Sequence, residues 1–163
     1  MRLLAPLLLA FALAACGLRP VYSGGTQGQV AQGLAMVEVA PIEGKAGWLV
    51  RNALADRLDP TGQAPTARYR LDVLLDDELE GLGLLTDDTI GRERRTLRAR
   101  YQLVDLETGE IVLDATAGSD AGIDVVSSEY ATIAAEERAL ENLALEVADQ
   151  IVARLALRLG DIR

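Results

Sequence analysis

Two stretches of this chain alternate apolar and polar residues without a break. Residues 66–76, TARYRLDVLLD, put Tyr69, Leu71, Val73 and Leu75 on one side and Arg68, Arg70, Asp72 and Asp76 mostly on the other. Residues 96–105, TLRARYQLVD, repeat the pattern with Leu97, Ala99, Tyr101 and Leu103. Successive side chains of a strand point to opposite faces, so a period of two predicts strands with one apolar face. A polar second face on both fits an antiparallel sheet covered on one side only.

The other segments supply the rest of that sheet and its cover. Leu106-Glu107-Thr108-Gly109 reads as a hairpin turn, with Gly109 suited to a left-handed position, and residues 110–117 return with Ile111, Leu113, Ala115 and Ala117 inward. A structureless loop over residues 78–94 is improbable at that length, so the flanking strands are expected to run on and meet near Asp87-Asp88. Residues 34–42 alternate through Val37 and Val39, and Pro41 marks a strand end or edge. Residues 45–58 space Ala46, Val50, Ala53, Leu54 and Leu58 as one helical stripe, stopped by Asp59-Pro60.

Residues 127–159 form the strongest helical pattern. Ser127 or Ser128 is a candidate N-cap, and Ile133, Leu140, Ala144, Val147, Ile151, Leu155 and Leu159 make the stripe. Glutamates 136, 137, 141 and 146 come early and Arg154 and Arg158 late, an order that suits the helix dipole, and Gly160 reads as the end. The order strand, helix, three strands, helix predicts an α+β two-layer sandwich. Two helices pack on one face of a four-stranded, mainly antiparallel sheet, within a domain spanning residues 34–163.

The N-terminus is of a different kind. After Arg2, residues 3–15 are apolar throughout but for Pro6, a run too short for a bilayer-spanning helix of about 20 residues and of the length of a signal-peptide core. Leu13-Ala14-Ala15-Cys16 resembles the bacterial lipobox, in which the peptide is cut before a cysteine that carries diacylglycerol and is then N-acylated. Residues 1–15 are thus expected to be a lipoprotein signal peptide, Cys16 the lipidated residue bearing chains such as palmitate, and residues 16–33, rich in Gly, Gln and Ser, a tether. One acyl chain holds a protein only marginally at a membrane, each buried methylene adding about 0.8 kcal/mol, whereas three chains anchor it durably. By resemblance to bacterial sorting rules, Gly17 and Leu18 after the cysteine, with no aspartate, favour the outer membrane.

Composition narrows the chemistry. Cys16 is the single cysteine, so no disulfide is expected to support the domain. The chain has no histidine, which removes the commonest general base and metal ligand. Ser127-Ser128 therefore lacks an activating partner, and the pairs Asp76-Asp77 and Asp87-Asp88 sit where strand ends and turns collect carboxylates anyway. No phosphate loop or metal spacing occurs, so no enzyme, metal or cofactor is expected beyond the covalent lipid. The formal charge of −9 disfavours nucleic acid as a partner.

Against that acidity stands GRERRTLRAR, residues 91–100. On a strand, Arg92, Arg94, Arg98 and Arg100 share one face and Arg95 takes the other. Guanidinium groups in a row suit phosphate. They equally suit a solvated sheet face, with Asp72, Asp76, Glu78 and Glu80 of the neighbouring strand as partners. Arg98 and Arg100 should lie beside those acids, which leaves Arg92 and Arg94, near the tip, better placed for a ligand. Leu82, Leu84, Leu85 and Ile90 around the tip are either an exposed interaction site or a local mini-core. Trp48 is expected in the core beneath the sheet edge, and Tyr22 and Tyr130 packed at element starts.

Three segments together resemble one family. Cys16-Gly17-Leu18-Arg19-Pro20-Val21-Tyr22 is similar to the mature start of LptE, the proteobacterial lipopolysaccharide-assembly lipoprotein. YQLVDLETGEIV, residues 101–112, is similar to its central hairpin. Tyr130-Ala131-Thr132 and LEVADQIVARL, residues 145–155, are similar to its C-terminal helix. The resemblance implies two helices on a four-stranded sheet, on the periplasmic side of the outer membrane. It implies a plug within the β-barrel LptD and binding of lipopolysaccharide during transfer to the cell surface. Arg92, Arg94, Arg98 and Arg100 then become candidates for the anionic groups of lipopolysaccharide or for an acidic barrel wall. The alternative is a lipoprotein subunit of an ABC-type intermembrane lipid transporter, whose small α+β domains look similar.

Overall fold

The computed structural model describes residues 28–60, 66–82 and 91–161. Cys16, the leader, Tyr22, Leu84, Leu85, Asp87-Asp88 and Ile90 lie outside them. Three helices and four strands follow in the order α1 (Gln29–Ala35), β1 (Val37–Val39), α2 (Gly44–Leu58), β2 (Tyr69–Gly81), β3 (Arg92–Asp105), β4 (Ile111–Asp124) and α3 (Glu129–Asp161). The sheet order is β1-β2-β3-β4, with β1 parallel to β2 and the other pairings antiparallel. This is the expected α+β class.

The alternating residues take the faces that their period demands. Leu97, Ala99, Tyr101 and Leu103 of β3 and Tyr69 and Leu71 of β2 are buried against the helices. From the other side come Val50, Leu54 and Leu58 of α2 and Leu140, Leu143, Val147, Ile151 and Leu155 of α3, all in one cluster. Helices α2 and α3 are tied across their exposed flank by Lys45–Glu137 at 2.6 Å and Arg57–Asp149 at 2.5 Å. Both pairs are 92 residues apart in sequence, so the two helices run parallel.

The long hairpin is present on both sides of its tip. Strand β2 continues to Gly81 and β3 begins at Arg92, in unbroken register from Tyr69↔Asp105 to Gly81↔Glu93. Strand β4 extends seven residues past the expected Ala117, through GSDAGID, because β3 offers it an unpaired ladder along that whole length. At the other end Asp105 organises the turn. Its carboxylate accepts the amides of Glu107 (2.9 Å) and Thr108 (3.3 Å), its carbonyl accepts Gly109 N–H at 2.8 Å, and Gly109 has φ 72°.

Several expectations are corrected. Residues 29–33 are helix α1 and not tether, and Leu34 ends in the core, so the strand expected over 34–42 shrinks to Val37–Val39. The helix forms because it has a partner: a Cβ on Gly33 would stand 3.5 Å from Leu159, and one on Gly160 would stand 3.6 Å from Val30. That packing also carries α3 through Gly160, which does not end it. Trp48 is 64% exposed on the outer side of α2 and Tyr130 is 88% exposed, so neither is a core or packing residue. Ile133 falls off the α3 stripe and is exposed, its first buried position being Thr132.

Candidate functional site: the outer face of the sheet

The face of the sheet away from the helices carries Arg92, Arg94, Arg98 and Arg100 on β3, all exposed, as the period required. Arg95 points to the helix side. It grips Asp77 through two nitrogens at 2.7 and 2.8 Å and donates to the Glu136 carbonyl, fastening the hairpin to α3. The Asp77 hydrogen bond raises the pKa of Arg95 above its ordinary value despite partial burial.

The partners of the outward arginines differ from expectation. The acids that hold them come from β4 and not from β2. Arg100 meets Asp114 at 3.1 Å, Arg92 meets Asp124 at 3.3 Å, and Arg94 lies 3.8 Å from Asp120. For Arg100 the register explains the switch, whereas Arg94 turns to Asp120 although Glu80 stands opposite it on β2. Arg100 stands opposite Leu74 on β2, so its nearest carboxylate is on the other side, where Gln102 also donates to Asp114 at 2.9 Å. Hydrogen bonds from Arg100 and then Gln102 hold Asp114 below the usual carboxylate range.

Arg98 is the exception. It faces Asp76 on β2 and Gly118 on β4, yet no described carboxylate comes within 4.0 Å of its guanidinium. Gly118 leaves room beside it, since a Cβ there would press to 3.4 Å on Arg98 Cγ and 3.3 Å on the Leu97 carbonyl. The result is an open depression of about 880 Å³ around Arg98, bounded by Leu74, Asp76, Arg100, Thr116 and Asp120. Leu74, 74% exposed, puts an apolar side chain at its rim. A guanidinium beside exposed hydrocarbon is the combination that an anionic amphiphile needs.

Sequence reasoning placed the four arginines on the right face but missed which one has no carboxylate partner among the described residues. The outward glycines of β4 are the signal that could have shown it. No group of three or more His, Cys, Asp or Glu among the described residues can hold a metal ion, and none of the described helices is long and apolar enough to cross a membrane.

The model of the lipopolysaccharide-assembly family, LptE, matches residues 34–155. The chain belongs to the LptE family. Solved structures agree with that family's fold. A candidate lipoprotein of Caulobacter crescentus CB15 is 27% identical, with TM-score 0.69 over 83% of this chain and 98% of that one. The minor lipoprotein of Acinetobacter baumannii (15% identical, TM-score 0.61) covers 76% of this chain and 92% of its own. The rare lipoprotein B of Shewanella oneidensis (13%, TM-score 0.60) covers 77% and 96%. At those two identities the likeness is one of fold. No curated protein sequence matches the chain. The LptE match covers α2, all four strands and α3 as far as Leu155, and so includes the arginine-bearing face.

Proposed function

We propose that this LptE-family chain is a non-catalytic lipoprotein of the outer membrane, anchored at Cys16 on the periplasmic side after loss of residues 1–15. It assembles and plugs the LptD β-barrel and binds lipopolysaccharide during its passage to the cell surface. The observation that carries this reading is the family match over residues 34–155, which spans nearly the whole folded domain. The wedge of helices on one side of the sheet supports it by leaving the arginine-bearing face exposed among the described residues.

Within that role, Arg92, Arg94, Arg98 and Arg100 receive the phosphates or carboxylates of the lipid's head, with Arg98 as the point of entry. Its three neighbours are held by aspartates in exposed pairs, which are weak and exchange readily for a phosphate. One charge-assisted contact is worth about 1.5–3 kcal/mol, or roughly tenfold to a hundredfold in affinity. Full-length protein in detergent, assayed for capture of lipopolysaccharide, should lose at least about tenfold on Arg98→Glu. Arg92→Glu with Arg94→Glu should lose less, with the unfolding midpoint unchanged in both. Equal binding by all three proteins would remove the stripe from the ligand site.

A further inference from the structure

The two long strands at the sides of the sheet are treated differently. The open side of β4 is covered by α3. Gln150 donates to the Gly118 carbonyl at 3.1 Å and accepts the Gly118 N–H at 3.2 Å, closing on the strand as a neighbouring strand would. One face further along, Arg158 donates to the Val112 carbonyl at 2.8 Å. Such covering is how proteins prevent edge pairing.

Among the described residues, strand β2 has no such cover beyond Leu71. Strand β1 reaches only Val37↔Tyr69 to Val39↔Leu71. There Tyr69 N–H donates to the Met36 carbonyl and the Leu71 carbonyl accepts Ala40 N–H, so odd-numbered peptide groups point away from β3. Leu82 N–H, an even position, donates to the Arg92 carbonyl on β3, which confirms the parity at the far end. With the register unbroken between, Val73, Leu75, Asp77 and Leu79 all direct N–H and C=O to the open side. Among the described residues none of these groups has a hydrogen-bond partner. At about 3.4 Å per residue the open ladder is over ~20 Å long.

We propose that this edge, residues 73–79, is a docking site for an extended strand of a partner protein that carries Lys or Arg at alternate positions. The charge decides the occupant. Asp76, Glu78 and Glu80 line the outward face of β2, exposed and without an ion pair among the described residues: Arg92, Arg94 and Arg100 turn to β4, and Arg98, opposite Asp76, comes within 4.0 Å of no described carboxylate. An added strand with cations opposite them satisfies both the backbone and the carboxylates. Its alternate residues fall on the other face beside Leu75 and the half-exposed Leu79, where apolar groups fit. A second copy of this chain does not. Two β2 strands paired antiparallel about Asp76 would set Asp76 on Asp76 and Asp72 on Glu80, and like charges directly opposite destabilise a sheet.

The test uses full-length protein in detergent and an eight-residue peptide alternating Lys with Val, beside a version with Glu for each Lys. The lysine peptide should bind at least tenfold more tightly than the glutamate version. At saturation it should slow amide exchange at Val73, Leu75, Asp77 and Leu79 at least tenfold while leaving Asp76 and Glu78 unchanged. Glu78→Lys with Glu80→Lys should weaken it at least tenfold, and Leu79→Pro, which removes only an outward N–H, should weaken it without unfolding the domain. Absence of binding overturns the proposal. So does binding without that alternating protection, which is charge attraction alone. Protection that rises with protein concentration and no peptide assigns the edge to a second copy and overturns it as well.

Discussion

Gly47 sits in the middle of an exposed-to-buried turn of α2, where replacing glycine by alanine ordinarily stabilises a helix by about 1 kcal/mol. Here the sign should reverse. A Cβ at position 47 would lie 2.6 Å from the Ile42 carbonyl oxygen, 2.7 Å from its carbon and 2.9 Å from its Cγ2. Two of those atoms are backbone, in the segment that leads from β1 into α2, so a rotamer change cannot relieve them. Overpacking of this kind costs about 1–3 kcal/mol, and such close contacts take the upper end. Less the propensity gain, Gly47→Ala should cost about 2 kcal/mol. The backbone itself is not the obstacle, since among the described glycines only Gly44 and Gly109 have positive φ. With a urea slope of roughly 2 kcal/mol per molar, the unfolding midpoint should fall by about 1 M. Gly33→Ala in α1 is the matched control. Its Cβ would meet Leu159 at an ordinary 3.5 Å, so it should gain about 0.5–1 kcal/mol. A midpoint for Gly47→Ala at or above that of the parent protein would refute the close approach of α2 to Ile42.

Leu143→Ala removes a side chain that is 1% exposed and should cost about 2–5 kcal/mol, whereas Trp48→Ala, at an exposed site, should stay within about 0.5 kcal/mol in the same urea titration. Asp105 is held below the ordinary carboxylate value by the Glu107 amide first, then by the Thr108 amide and Arg68. Its contribution to stability is therefore full above the unfolded value of about 3.9 and is lost as pH falls through the lower folded value. Urea midpoints measured downward from pH 5 should accordingly drop less steeply for Asp105→Asn than for the parent. Gln150→Leu should speed exchange of the Gly118 amide without moving the global midpoint by more than about 1 kcal/mol, as measured by native-state hydrogen exchange.

How much of this was legible in the sequence follows from what each signal depends on. The faces of β2 and β3 depend only on period two, and the burial of Leu71, Leu97 and Leu103 agrees with it residue by residue. The stripe of α2 was equally plain. Helix α1 was not, because QVAQGLA has the composition of a linker and becomes a helix only by packing Val30, Gly33 and Leu34 near the end of α3. The second half of β4 was hidden for a related reason. Its Gly118, Ser119 and Gly122 are poor strand formers, and the β3 ladder overrides their preference. At the site, parity placed the arginines on one face, but which strand supplies their acids depends on where each guanidinium turns, since Arg94 stands opposite Glu80 yet lies beside Asp120. Only the fold shows that β4 and not β2 holds them, and that Arg98 stands apart. Trp48 was misjudged because hydrophobicity is a guide to burial in one direction only.

The central claim is that this LptE-family chain works as the lipid-anchored companion of an outer-membrane barrel. The most direct measurement is affinity isolation of the tagged full-length chain from detergent-solubilised envelopes, with mass spectrometry of both the chain and what accompanies it. The account predicts a mature N-terminus at an acylated Cys16 and LptD recovered in near-equal amount. A free Cys16 thiol with residues 1–15 still attached would contradict it, as would an inner-membrane ABC-type transport complex in place of the barrel.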